Sequence, residues 1–210
     1  MNHRIFLLSP ADCCGRRAGY LLRENASLPL AIRLAAEGAP IGEVFAFLSG
    51  LYFRGKLAYA TAFCAPPGAL PGVLVITPNA GLMPASTIIH MTTLRGFANG
   101  EIELSNAAYR RPLETDSRRI AGEAGEDCEA VLLGSLATSK YLEVLSAAFG
   151  KRLHFPADFV GRGDMSRGAL LLRCVQERRE LEYVMATGEI QSRARGARGS
   201  NKRGGGKRKQ

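Results

Sequence analysis

Two short runs, Val73-Leu74-Val75-Ile76 and Val131-Leu132-Leu133, are apolar at every position. A strand with one wet face alternates apolar with polar side chains. An unbroken apolar run belongs to a strand covered on both faces, as in parallel sheets flanked by helices. Further strand candidates fall at 4–8, 153–155 and 181–184, with the two runs themselves extending over 73–77 and 130–133. Helical patterns separate them, at 43–63 with a break near Gly50, then 116–125, 138–149 and 165–178. On the third of these, Tyr141, Leu142, Leu145, Ala148 and Phe149 form one apolar stripe at helical spacing. Alternation of strands and helices predicts an α/β fold of three layers, with a mostly parallel central sheet, helices on both faces and right-handed connections. Pro66-Pro67-Gly68 and Pro71-Gly72 mark a loop before the second strand, and 101–112 reads as irregular. There is no internal repeat.

The net charge of +9 is unevenly distributed. From Ser192 to Gln210 there are eight basic residues and no acidic one: Arg193, Arg195, Arg198, Lys202, Arg203, Lys207, Arg208 and Lys209. The remaining 191 residues hold 20 basic and 19 acidic side chains and are close to neutral. The sequence therefore divides into a single α/β domain over 1–191 and a basic tail over 192–210. The tail has no apolar residue larger than alanine, so it cannot offset its ordering entropy and is expected to be disordered. The expected partner of such a tail is nucleic acid, bound through phosphates without sequence preference.

No apolar run approaches the roughly 18 to 20 residues needed to span a bilayer, so no membrane partner is expected. The stretch from Met1 to Pro10 has too few apolar residues for a secretory signal and reads as a first strand. Five cysteines, Cys13, Cys14, Cys64, Cys128 and Cys174, form no C-x-x-C pair, and His3, His90 and His154 supply no closely spaced ligands. This pattern predicts reduced thiols in a cytoplasmic protein, with no metal and no cofactor implied by spacing.

In open parallel sheets, ligands bind beyond the carboxyl ends of the strands. All four segments following the expected parallel strands are polar. The first runs from Ser9 through Asp12, Cys13 and Cys14 to Arg17, and the second is Thr77-Pro78-Asn79-Ala80-Gly81. Gly134-Ser135 is followed by Thr138, Ser139 and Lys140 at a helix start, and the fourth string is Gly161-Arg162-Gly163-Asp164-Met165-Ser166-Arg167-Gly168. Candidate catalytic groups are Asp12, Cys13 and Asp164. Candidate ligand-binding residues are Asn79, Gly81, Gly134, Ser135, Lys140, Gly161, Gly163, Ser166 and Arg167.

Each has a plainer alternative. Asp12 suits a helix-entry loop. An exposed Cys13 near Arg16 and Arg17 would favour a thiolate, but no histidine partner is identifiable. Asn79-Ala80-Gly81 also suits a turn. Gly134-Ser135 either caps the next helix or offers its backbone N–H groups to an anion. Asp164 either caps a helix or contacts a ligand. The glycine-rich string matches neither the phosphate loop of nucleotide hydrolases nor a dinucleotide fingerprint, and its Arg-Gly-Asp is not read as an adhesion motif in an intracellular chain. Tyr52, Lys56 and Tyr59 share one helical face, which suits a core stripe with an exposed lysine or, alternatively, a lysine directed into the cleft.

The order of Leu51-Tyr52, Lys56-Leu57-Ala58-Tyr59-Ala60, the Ile76–Pro84 turn, Leu133-Gly134-Ser135, Lys140-Tyr141 and the Pro156–Gly168 string resembles an uncharacterised bacterial α/β family. The likeness spans roughly Ile5 to Leu172. That arrangement is more distantly similar to the uracil-DNA-glycosylase-like domain of archaeosine synthase and to peroxide-stress proteins of the YaaA type, whose opening Leu7-Leu8-Ser9-Pro10-Ala11 also resembles. Thr77-Pro78-Asn79 stands where the family has Ser-Ala-Lys, so a role for a lysine in that turn does not carry over. No glycosylase-type Asp-plus-His pair is present in the matching positions. The resemblance implies business with nucleobases or nucleic acids.

Three readings follow. One is an enzyme or ligand-binding domain for a nucleobase, nucleotide or nucleic acid, with its cleft at Asp12, Asn79, Ser135 and 161–168. Another is a non-catalytic nucleic-acid-binding module that depends on the tail. The third is a small-molecule enzyme unrelated to nucleic acid.

Overall fold

β1, His3–Leu8, runs through the middle of the molecule, and Ile5 to Leu8 are fully buried. The computed structural model describes residues 3–135 and 139–186. After β1 come α1 (Arg16–Leu22), α2 (Pro29–Ala36), β2 (Ala39–Pro40), α3 (Ile41–Ser49) and α4 (Leu51–Phe63). β3 (Val73–Ile76), β4 (Leu82–Pro84), β5 (Ile88–Ile89), α5 (Met91–Ala98) and α6 (Ala107–Ala124) follow. The chain then forms β6 (Cys128–Leu133), α7 (Ser139–Phe149), β7 (Leu153–Pro156), α8 (Asp164–Gln176) and β8 (Tyr183–Met185).

The main sheet has the order β4-β3-β1-β6-β7-β8. β1 pairs in parallel with β3 on one side and with β6 on the other, Leu8 lying opposite Val75 and Leu133. β6 and β7 are also parallel, while β4 and β8 close the two edges in the antiparallel sense. The expected α/β architecture with a mostly parallel sheet is what the chain forms. β2 and β5 make a separate two-stranded ribbon.

From β1 the chain steps to β3 through α1 to α4; from β4 it steps back across β1 to β6 through α5 and α6. Right-handed crossovers in opposite directions put their helices on opposite faces. α4 accordingly packs with α8, and α6 packs with α7. Phe6 of β1 meets Tyr59 of α4 edge-on, ring centroids 5.8 Å apart, which fixes the face that α4 covers.

One sequence expectation changes. The stretch 101–112 is not irregular throughout, because α6 starts at Ala107. Asn106 caps it, its side chain accepting a hydrogen bond from the Ala108 N–H at 3.0 Å, and Pro112 is carried inside the helix. The break expected near Gly50 within 43–63 is where the chain divides α3 from α4; there φ is +65° and a side chain would meet the Arg17 guanidinium. The three residues of β4 and the helices α1, α2 and α5 were not evident from periodicity. The tail, with Arg193, Arg195, Arg198, Lys202, Arg203, Lys207, Arg208 and Lys209, and also Thr138, lie outside the described residues.

Candidate functional site

The sheet reverses its winding direction between β1 and β6, and such a reversal opens a crevice at the carboxyl ends of the two strands. Ser9 stands at the end of β1 and Gly134 at the end of β6. Ser9 N–H continues the ladder by donating to the Leu133 carbonyl at 3.1 Å. A Cβ on Gly134 would lie 2.9 Å from both the Ser9 Cβ and the Tyr141 hydroxyl, so only glycine lets these three groups meet. Tyr141, from α7, clasps the next residue: its hydroxyl accepts from Ser135 N–H at 2.9 Å and donates to the Ser135 carbonyl at 3.0 Å.

α4 brings a lysine to this point. Lys56 is 1% exposed, and its Nζ donates to the Ser9 carbonyl at 2.7 Å and to Ser9 Oγ at 2.8 Å. The Tyr52 and Phe53 rings flank the ammonium, 4.7 and 4.6 Å from Nζ to the centroids. Burial pushes the Lys56 pKa down to about 7; Asp164 opposes this shift and the Arg167 charge adds to it. Lys56 therefore changes protonation state near neutral pH, where an ordinary lysine stays charged.

α8 supplies the remaining groups. Arg167 is buried, with Nε and Nη2 donating to the Phe159 carbonyl at 3.2 and 2.9 Å. Its Nη1 lies 3.6 Å from Asp164 Oδ1, and Asp164 itself is largely exposed. The Tyr52 hydroxyl is buried with no hydrogen bond of good geometry. Burial raises its pKa well above the usual tyrosine range, an effect that Arg167 partly offsets. The arrangement can hold an anion against two buried cations and can pass a proton between an amine and a hydroxyl.

Of the candidates from sequence, Gly134, Ser135, Asp164 and Arg167 take part in this crevice or adjoin it. Gly163 precedes α8 as its N-cap, and its carbonyl accepts from the Arg167 N–H at 3.0 Å. Gly161 has φ +76°, and Ser166 Oγ accepts from exposed Arg162 at 3.4 Å. The remaining candidates have local partners. Asp12 Oδ1 accepts from Cys14 N–H at 2.9 Å. Cys13 is buried, and burial pushes its thiol up to about 12, which disfavours the thiolate. Asn79 donates to the Gly96 carbonyl at 2.9 Å. Gly81, at φ +63°, is pressed against the Pro112 carbonyl and Asp116. Lys140 pairs with Glu103 at 2.7 Å on the surface.

Sequence reading missed Ser9 as a site residue and favoured an exposed Lys56. The available signal was the company Lys56 keeps: it shares the apolar stripe of Tyr52 and Tyr59. Among the described residues no three His, Cys, Asp or Glu side chains gather as a metal site, and no helix is long and apolar enough to cross a membrane.

An open cleft of about 980 Å³ beside α1, α2 and α3 offers Arg17, Arg33, Arg54 and Tyr20 over an apolar floor that includes Leu28 and Phe47. Its cations are mostly engaged within the chain. Arg33 pairs with Glu43, and Arg17 donates to the Phe47 carbonyl at 3.1 Å. Ser9, Lys56 and Arg167, by contrast, are buried. No protein-family model matches the chain, and no curated protein or solved structure matches it with significance.

Proposed function

We propose that this protein is an enzyme or ligand-binding domain for an anionic ligand of the nucleotide class, held in the crevice between the carboxyl ends of β1 and β6. One observation carries the reading. Lys56 and Arg167 are both buried there, yet the acid that acts on both is a single, largely exposed carboxylate, Asp164. Buried charges are normally paired. An incoming phosphate or carboxylate would complete the charge balance of Arg167 and leave Lys56 free to exchange its proton.

Support for a nucleotide over other anions comes from the order of motifs that resembles nucleobase-handling domains. The basic tail, by its composition, suits a phosphate-rich environment. Cationic groups at 192–210 would add salt-sensitive attraction but no base recognition.

Calorimetric titration of the full chain with nucleoside monophosphates, nucleosides and inorganic phosphate tests this reading. The expected result is that nucleotides bind and nucleosides bind more weakly. Asp164→Asn, a change at an exposed side chain, should tighten nucleotide binding several-fold by removing the competing carboxylate. Nucleotide binding that is absent, or unchanged in Lys56→Met and Asp164→Asn alike, would refute the reading.

A further inference from the structure

We infer that Ser9 and Lys56 form a nucleophile–base pair, in which neutral Lys56 takes the proton of the Ser9 hydroxyl as Ser9 Oγ attacks an acyl group. The inference rests on the crevice proposed above and names the chemistry it performs.

The geometry is the starting point. Ser9 Oγ and Lys56 Nζ are 2.8 Å apart, within the reach that a general base needs for its nucleophile. Nζ also has the Ser9 carbonyl at 2.7 Å. A charged lysine donates to both oxygens. A neutral one donates to the carbonyl and still has its lone pair for the hydroxyl proton, with no movement of heavy atoms. The carbonyl contact thus aims the lone pair.

Burial then selects the protonation state. Ordinary lysine is too fully charged at neutral pH to act as a base, whereas a desolvated one is available. A simple anchor for the strand end would need one neutral donor, and an amide side chain would supply it without burying an amine. Ser9 is 8% exposed, which shields the pair from bulk water.

The step balances without a further reagent. With an ester or amide, the Oγ–carbonyl carbon bond forms while the Oγ proton moves to Nζ. Collapse of the tetrahedral adduct breaks the bond to the leaving alcohol or amine, which receives that proton. Water then repeats the sequence to release the acid and regenerate Ser9. Tyr52, one turn earlier on α4, keeps its proton to high pH and its ring lies 4.7 Å from Lys56 Nζ. The substrate class is an acyl compound carrying an anionic, nucleotide-like group.

The test uses the full chain and a small fluorophosphonate, whose phosphorus takes the place of the acyl carbon and whose fluoride leaves. The expected result is one covalent adduct per chain, mapped to Ser9 by peptide mass spectrometry. Its rate should rise with pH through about 7 as Lys56 deprotonates. Ser9→Ala leaves the carbonyl contact in place and should lose the adduct while keeping its melting temperature within a few degrees. Lys56→Met should slow labelling at least 100-fold.

Labelling elsewhere, or labelling at Ser9 that survives Lys56→Met, overturns the inference. So does a folded wild-type chain that binds nucleotide but leaves Ser9 unmodified, in which case the ligand reading stands alone. Labelling at Ser9 in a chain that binds no nucleotide keeps the pair and removes the nucleotide assignment.

Discussion

Gly55 of α4 and Gly168 of α8 meet backbone to backbone: a Cβ on Gly55 would lie 2.7 Å from the Gly168 carbonyl oxygen, and one on Gly168 would lie 2.8 Å from the Tyr52 Cα. This close crossing decides where the side chains on either side of it go. Tyr52 and Lys56 bracket Gly55 on one helix, while Asp164 and Arg167 precede Gly168 on the other. Because the two backbones touch, a buried lysine and a buried arginine come within each other's fields.

Gly168→Ala should therefore act on both stability and the site. Neither neighbour is a flexible side chain, so the helices must separate, at a cost of about 1–3 kcal/mol. The expected outcome is a lower melting temperature by several degrees together with a Lys56 pKa moved back toward 10.5 as the pocket loosens. Chemical denaturation and a pH titration of isotope-labelled lysine check the two parts.

Lys56 should leave a mark on the pH dependence of folding. Its folded pKa of about 7 lies below the ordinary value of 10.5, so between these limits the unfolded chain holds a proton that the folded one has released. The Lys56 contribution to stability therefore rises with pH across that window, and its burial penalty is fully present below about pH 7. Relative to wild type, Lys56→Met should gain most at pH 6 and progressively less toward pH 9, a change of up to about 3 kcal/mol at about 1.4 kcal/mol per pH unit. Paired denaturation curves at several pH values provide the measurement; an equal offset at every pH would contradict the assignment.

Tyr141→Phe removes the hydroxyl that both receives the Ser135 N–H and donates to its carbonyl. A loss of about 1 kcal/mol is expected for the hydrogen bonds removed. Nucleotide binding should weaken alongside, since Ser135 forms one wall of the crevice. A variant that loses stability but binds nucleotide with unchanged affinity would separate α7 from the site.

The thiols should divide by burial. Cys14 is exposed and Cys64 partly so, whereas Cys13, Cys128 and Cys174 are buried, with burial raising the pKa of each. An aromatic disulfide reagent at pH 8 should modify Cys14 and Cys64 in the folded protein and the other three only on unfolding. Cys13→Ser should leave any labelling of Ser9 unchanged.

β3 and the end of β6 were legible because burial on both faces demands unbroken apolar residues, as in Val73–Ile76 and at 131–133. β4 was not, because Leu82-Met83-Pro84 is too short to show a period and its place depends on pairing with β3. The start of α6 was hidden by Pro112, which usually argues against a helix interior; the Asn106 cap and the Arg110–Glu114 pair at 2.7 Å support the helix across it. Polar residues after strands pointed to Gly134, Ser135, Asp164 and Arg167. Lys56 comes from the middle of a helix, and no rule about strand ends finds it. Its burial depends on the Gly55–Gly168 crossing, a contact between positions more than a hundred residues apart.

The antiparallel strands at the two ends of the sheet, Leu82–Pro84 and Tyr183–Met185, are each three residues long. An outside strand docking on either would find few free backbone groups to pair with, too few to hold it. The sheet is therefore a poor template for growth by strand addition. Among the described residues, the helical faces of this sheet offer more surface for self-association than its edges do.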